Sequence, residues 1–269
     1  MFTLYIVATP IGNVEDISLR ALRILSQVKL IAAEDTRKTR RLLTVYGIKT
    51  RLTSYHEHNK EAKLSYLLHR LELEDLALVA EAGMPGISDP GYELVVAASE
   101  RRIPLVPIPG PSVLITALAI SGLPINQFTY LGFFPRRKGP RKRLLEQVAE
   151  EERTMLALEA PHRLVSTLDD ILEFLGDRRI AVCRELTKIH EEVFRGTVRE
   201  AMAHFREPKG EFTLVIAGRR GRSYSFEEAE QQLRQLCEKG VCAKEAILLV
   251  ANAIGASKKQ LYRSWLSMR

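Results

Sequence analysis

Cysteine is scarce in this chain. Cys183, Cys237 and Cys242 are odd in number and none belongs to a CxxC pair, which excludes a disulfide framework and leaves no zinc-binding spacing. Buried thiols are the expectation. Long apolar runs are also missing: no stretch approaches the roughly eighteen uninterrupted apolar residues that a membrane span needs. The opening MFTLYIVATPIGN carries no basic segment ahead of its apolar residues and runs directly into a Pro/Gly turn. It therefore reads as a first strand and not as a signal peptide, and a cytoplasmic protein without membrane contact is expected. There is no Walker A sequence, no GxGxxG, no GxSxG elbow and no HxE…PCxxC pattern. An ordinary nucleotide or nicotinamide fold, an α/β-hydrolase and a zinc deaminase consequently have no sequence support. No fixed-period repeat occurs either.

What remains is a chain of 269 residues, 46% hydrophobic and 27% charged, with room for two ordinary domains and a small appendage. Apolar runs alternate with helical patterns from the start: LYIVAT, then SLRALRILSQV; LIAAED, then TRKTRRLLTVYG; LALVA, then DPGYELVVAASERR; IPLVPIPG, then SVLITALAISG. Asp16 and Ser18 are candidate N-caps, and Gly122 is placed as a C-terminal stop. The pattern resumes with strands FTYLGFF, TMLALEA, RIAVCRE and EFTLVIAG and helices GPRKRLLEQVAEE and HRLVSTLDDILEFLG. Repeated β-turn-α predicts the α/β class, with mostly parallel sheets covered on both faces. The expected division is an α/β domain over residues 1–120, a second over 125–221 with ISGLPINQ as hinge, and a small all-α module over 222–269. In that module, helices separated by a break at Gly255 fit either a helix-turn-helix or a dimer-packing tail.

The net charge of +7 and a pI near 9.4 favour an anionic partner. The cations cluster. Arg37, Lys38, Arg40 and Arg41 form one group, Arg136, Arg137, Lys138, Arg141, Lys142 and Arg143 a second, and Arg219, Arg220 and Arg222 a third. A solvated helix face accounts for the first. The second surrounds Pro135, Gly139 and Pro140 in an expected loop with no acid before Glu146, a pattern suited to phosphate backbones. Tyr130, Phe133 and Phe134 precede it and read first as strand core.

In open parallel sheets, ligands settle beyond the carboxyl ends of the strands. TPIGN (9–13), EAGMPGISDPG (81–91), IPGPS (108–112) and EAPHR (159–163) are all turns at such ends. Glycine admits close backbone approach and proline fixes the loop, so their convergence predicts a preorganised small-molecule pocket.

Seven segments taken in order, TPIGNVEDISLRA, AEDTRKTRRLL, VAEAGMPGISDPG, PIPGPSVLITALAISGLP, GFFPRRKGPRKR, EAPHRL and GEFTLVIAG, resemble the tetrapyrrole-methylase superfamily over about residues 3–218. Within it they are most similar to the branch that methylates RNA of the small ribosomal subunit. The resemblance implies an enzyme dependent on S-adenosyl-L-methionine, with the cofactor between two α/β domains, commonly a homodimer. The implied substrate is the 2′-hydroxyl of a cytidine in the decoding region of 16S rRNA, within the 30S subunit. It places Ile11, Gly12, Gly83, Met84, Ile87, Ser112, Val113, Leu158, Leu186 and Thr213 at the cofactor. One departure stands out: tetrapyrrole-modifying relatives carry GDP in the second motif, and here GMP puts Met84 where their aspartate stands. Asp89 in SDPG either replaces that carboxylate or caps the next helix.

A ribose hydroxyl is a poor nucleophile until its proton is accepted or polarised. Asp35, Arg37, His56, His58, Asn59 and Glu81 fall at strand ends or adjacent loops. Glu81 or Asp35 is expected as the base, with Arg37 on a flanking phosphate. The local alternative is that Glu81 accepts loop amides and Asp35 caps the following helix. His56 and His58 lack further matched ligands, so no metal site is expected. Arg136, Arg137, Lys138, Arg141, Lys142 and Arg143 are the expected RNA contacts. Two other readings stay open: methylation of a tetrapyrrole ring carbon, and a non-catalytic RNA-binding module.

Overall fold

The computed structural model describes residues 2–219, 226–254 and 258–267. The chain forms two compact units, Met1–Ala217 and Gly218–Arg269. The first contains both sheets. Strands β1 (Leu4–Val7), β2 (Leu30–Ala33), β3 (Arg51–Ser54), β4 (Leu76–Val79) and β5 (Leu105–Ile108) lie in the order β3-β2-β4-β1-β5, every pairing parallel. β2 and β4 are buried at all positions, as LIAA and LALV require of parallel strands covered on both faces. Crossovers carry α1 (Leu19–Gln27), α2 (Thr36–Val45), α3 (Lys60–Leu71) and α4 (Tyr92–Glu100), and α5 (Val113–Ser121) follows β5. Ser18 caps α1 by accepting from the Ala21 amide at 3.1 Å, whereas Asp16 lies in a short 3-10 turn. Gly122 ends α5 in the left-handed conformation, with φ 72°. β3 and α3 went unrecognised in the sequence because RLTS is a partly exposed edge strand without an apolar run.

The second sheet departs from the mostly parallel expectation. β6 (Phe128–Phe133), β7 (Thr154–Glu159), β8 (Arg179–Arg184), β9 (Glu192–Thr197) and β10 (Phe212–Ile216) take the order β6-β7-β10-β8-β9. Only β6 and β7 pair in parallel; the other three pairings are antiparallel. Residues 185–191 between β8 and β9 are too few for a crossover, which takes about a dozen, so a hairpin forms there. Helices α6 (Lys138–Gln147), α7 (Leu164–Leu175) and α8 (Val198–His204) cover one face through Leu145, Leu168, Ile171, Val198 and Ala201. The other face is covered by α5, whose Ala117 and Leu118 pack with Leu156, Ala181, Leu186 and Val215. α5 and Ile11, both carried by the first half of the chain, thus join the core of the second sheet.

The expected basic loop at 136–143 is largely helical. Pro140 is the third residue of α6, where an amide needs no intrahelical partner. Helical phase turns Arg141 inward: its guanidinium lies 2.6 and 2.7 Å from the Asp170 carboxylate, with both side chains buried. Lys142 Nζ lies 2.9 Å from Glu173 and 4.8 Å from the Phe174 ring centroid. Arg141 and Lys142 are therefore removed from the free cations of this segment, while Arg136, Arg137, Lys138 and Arg143 remain exposed.

The second unit consists, among described residues, of α9 (Phe226–Glu238), α10 (Ala243–Ile254) and α11 (Lys258–Ser267) around Leu233, Ala246, Val250, Leu261 and Trp265. Arg220, Arg222, Gly255 and the expected boundary between 221 and 222 lie outside the described residues. No described helix is long and apolar enough to cross a membrane.

Removing one partner of a buried ion pair strands the other charge. Asp170→Ala is expected to destabilise the protein by about 3–5 kcal/mol in denaturant titration. Glu173→Ala, at the solvent-facing pair, should cost at most about 1 kcal/mol.

Candidate active site

A cavity of about 530 Å³ opens between the two sheets. Its floor is made by turns at the carboxyl ends of β1, β4 and β5, and its roof by the ends of β6, β7, β8 and β10. Thr9 and Gly83 exchange backbone hydrogen bonds at 2.9 and 3.0 Å, which locks the first turn to the second. Gly83 has φ 74°, so only glycine takes that corner without strain. Ile11, Gly83, Met84, Ile87, Ser112, Val113, Leu158, Leu186 and Thr213 all line the cavity. Of the ten positions assigned to the cofactor, Gly12 alone does not.

Gly12 has a different task. A β-carbon there would lie 2.6 Å from Lys188 Cγ and Thr187 Oγ1 and 2.9 Å from the Leu186 carbonyl oxygen. The Asn13 amide donates to Thr187 Oγ1 at 3.0 Å. The first turn is thereby seated against the loop after β8, where Glu185 and Thr187 both hold positive φ. Ser88 Oγ and Tyr130 OH, 2.5 Å apart, make a second tie across the cavity.

Several lining groups escaped the sequence reading. Phe133 is 56% exposed and faces the cavity, while neighbouring Phe134 is buried. Successive side chains of an extended chain point to opposite faces, which separates the two rings. Glu159, from EAPHR, is fully engaged: it accepts from Arg163 Nη2 at 2.5 Å, Thr167 Oγ1 at 2.6 Å and the Ala160 amide at 2.7 Å. Arg163 in turn donates to the Phe134 carbonyl at 2.9 Å. This acid and this arginine brace the wall. Cys183 also lines the cavity, and burial pushes its thiol up to about 11, so it stays protonated.

The model of the family described as Tetrapyrrole (Corrin/Porphyrin) Methylases matches residues 3–202. The chain belongs to this family. Among curated proteins it is 47% identical to a ribosomal RNA small subunit methyltransferase I of Halalkalibacterium halodurans, covering 97% of this chain and 93% of that one. It is 42% identical to the Bacillus subtilis protein of the same name, over 98% and 94% of the two chains. A Thermotoga maritima protein of that name is 49% identical and is matched over its whole length by 81% of this chain. Two solved structures share the fold: a uroporphyrin-III-C-methyltransferase from Thermus thermophilus and a putative diphthine synthase from Entamoeba histolytica. Their TM-scores are 0.54 and 0.58 and their identities 21% and 15%, with 80% and 86% of this chain and 94% and 97% of theirs covered.

Carboxylates gather at one end of this methylase's cavity. Glu34, Glu81 and Asp89 all line it, and Glu34 Oε2 accepts the Glu81 amide at 3.0 Å. Glu81 is ion-paired with Lys38. Burial, with the charges of Glu34 and Glu81 adding to it, raises the Asp89 pKa to about 7. Asp35 is placed otherwise. It caps α2, accepting from the amides of Arg37 at 2.7 Å and Lys38 at 3.2 Å, and these bonds hold its carboxyl below the usual range. Asp35 lies outside the cavity wall, and Arg37 is directed to a separate groove. His56 and His58 have ring centroids 6.1 Å apart, and no metal-holding group of three or more His, Cys, Asp or Glu occurs among the described residues. The Asn59 side chain accepts the His56 amide at 2.8 Å and is occupied in shaping its own turn.

Two outcomes follow from this geometry. Gly12→Val should overpack the seam against Leu186 and Lys188 and lower stability by about 1–3 kcal/mol in denaturant titration. Asp89 has its folded pKa above the ordinary 3.8, so its contribution to stability is complete below that value and is lost as pH rises through about 7. Asp89→Asn should consequently melt above the wild type at pH 8, with the difference closing by pH 4.

Proposed function

We propose that this chain transfers a methyl group from S-adenosylmethionine to the 2′-hydroxyl of a cytidine in the decoding region of 16S rRNA. The observation that carries the reading is the convergence of nine of the resemblance's cofactor positions on one cavity, in a chain 47% identical to a ribosomal RNA small subunit methyltransferase I. The cavity suits the cofactor. Its volume of about 530 Å³ lies in the range of small-ligand sites, and Ile87, Phe133, Leu158 and Leu186 offer apolar walls to a purine. Glu34, Glu81 and Asp89 set a negative field that attracts a sulfonium and an α-ammonium. Bound there, S-adenosylmethionine would supply an electrophilic methyl group.

The rest belongs to the protein. Asp89 is the proton acceptor in this reading, because a carboxylate with a pKa near 7 is both ionised in part and basic enough at neutral pH. Glu81 supports it, raising the basicity of Asp89 by its charge while Lys38 holds its own carboxylate in place. Asp35, once a candidate base, orders the amino end of α2, and Arg37 beside it is left to a flanking phosphate. The 30S particle as substrate and a homodimer as the working form belong to the same reading; light scattering of the purified protein tests the latter.

The deciding experiment is transfer of a labelled methyl group from S-adenosylmethionine to 30S subunits lacking ribose methylation, followed by mass spectrometry of the digested rRNA. The expected product is 2′-O-methylcytidine. Label on a base, or transfer to a tetrapyrrole and not to RNA, overturns the reading. Single-turnover rates should climb with pH through about 7 and then level. Asp89→Asn should lower the plateau by roughly 10²–10⁴-fold, the usual worth of a general base, and abolish that rise.

A further inference from the structure

We propose that a single-stranded RNA segment reaches the active-site cavity across α2, its phosphates held by Arg37, Lys38, Arg40 and Arg41. This inference rests on the RNA-methylating reading above and specifies the surface that delivers the substrate. A second cavity, of about 350 Å³, adjoins the first and shares Ile11, Glu81, Ala82 and Glu211 with it; Lys38 and Arg41 stand in its wall, and Glu211 is neutralised by Lys188 at 2.9 Å. Beyond Arg41 begins a shallow groove of about 740 Å³, lined by Arg37, Arg40 and Arg41 together with the polar residues Thr36, Thr53 and Ser54. Arg41 belongs to both, so the cations follow one continuous path that ends at Glu81 on the edge of the active site.

The sequence of α2 produces this path by phase. Thr39 and Leu43 are buried against the sheet, which turns Arg37, Lys38, Arg40 and Arg41 outward. The groove contains no carboxylate in its lining. Asp35, the nearest acid in sequence, is spent on the amides of the helix, although its carboxylate also stands 3.6 Å from Arg37. Arg40 makes only a 3.4 Å contact with the Thr50 carbonyl, and Arg41 has no charged partner among the described residues. Lys38 is held by Glu81 at the cavity mouth. The smaller cavity adds apolar surface from Val14, Leu42 and Val45, on which a base or ribose can rest between two phosphate contacts. A row of cations beside apolar surface is the chemistry of single-strand binding. The basic segment at α6 keeps four exposed cations, Arg136, Arg137, Lys138 and Arg143, but none of them lines the active-site cavity or the two hollows that lead to it, and this continuity is what favours α2.

The test uses the full chain and a fluorescein-labelled single-stranded oligoribonucleotide carrying the decoding-region sequence, with anisotropy measured across a salt series. Each phosphate contact on a single strand contributes about −0.7 to the slope of log K against log salt. Arg40→Ala combined with Arg41→Ala should flatten the slope by about 1.4 and weaken binding about tenfold near physiological salt, leaving S-adenosylhomocysteine affinity by calorimetry unchanged. Arg40→Lys with Arg41→Lys keeps the charges and should retain the wild-type slope. Arg136→Ala with Arg137→Ala should change the slope less than the α2 pair does. If the wild type binds RNA with a salt-dependent affinity and the α2 variant binds it equally well with the same slope, the proposed path is wrong while the RNA-methylating reading stands. If the wild type binds neither this oligonucleotide nor 30S subunits, both fall. Preference for a duplex of the same sequence over the single strand overturns the path as well.

Discussion

The active-site cavity depends on an apolar seam between the two sheets. α5 continues from the first sheet and packs Ala117 and Leu118 on the second sheet's Leu156, Ala181 and Val215, with Ile11 and Leu186 closing the seam beside the cavity. Each fully buried aliphatic side chain is worth about 1.5–3 kcal/mol, whereas the polar ties across the gap, Asn13 to Thr187 and Ser88 to Tyr130, contribute roughly 0.5–1.5 kcal/mol apiece. Burial holds the halves together and the hydrogen bonds set their alignment. Gly12 matters because of this seam: the absent side chain is what lets the first turn come against Leu186 and Lys188.

The same scaffold sorts similar acids into different tasks. Asp35 and Glu81 both follow the end of a buried strand, yet one caps a helix and the other edges the cavity beside Asp89. Glu159 also lies at a strand end in the cavity wall, but with Arg163, Thr167 and the Ala160 amide around it, its lone pairs are committed to bracing that wall. Asp89 differs because burial and two neighbouring carboxylates act on it together, and the resulting rise in basicity costs folding stability above neutral pH.

Much of the fold was readable from local pattern. LIAA and LALV announced central parallel strands, Ser18 and Gly122 bounded their helices, and the four Gly/Pro turns indicated where a pocket would lie. The misreadings share a cause. RLTS carries little apolar signal because it is an edge strand, and residues 136–143 read both as a basic loop and, from Gly139, as a helix, because Gly139 and Pro140 are breakers inside a helix but not in its first turn. The antiparallel half of the second sheet was hidden because strand direction is set by connection length and by the insertion of β10 between β7 and β8, both non-local.

By itself, the sequence determined the α/β class, the family and the set of turns that make the cavity, since these are written in short segments whose residue types constrain their own backbone. Tertiary structure alone decided which charged groups are free to act. Arg141 and Arg41 are indistinguishable as letters in basic helices, but one meets Asp170 in the core and the other stands exposed over a groove. Asp35 and Asp89 are likewise both aspartates beside a turn. The pKa of the first falls because the amides of Arg37 and Lys38, its near neighbours in sequence, donate to it, and that of the second rises because the fold excludes water from it and brings Glu34 and Glu81 close. Burial and field are sums over neighbours, and the chain acquires those neighbours only when the two sheets close on one another.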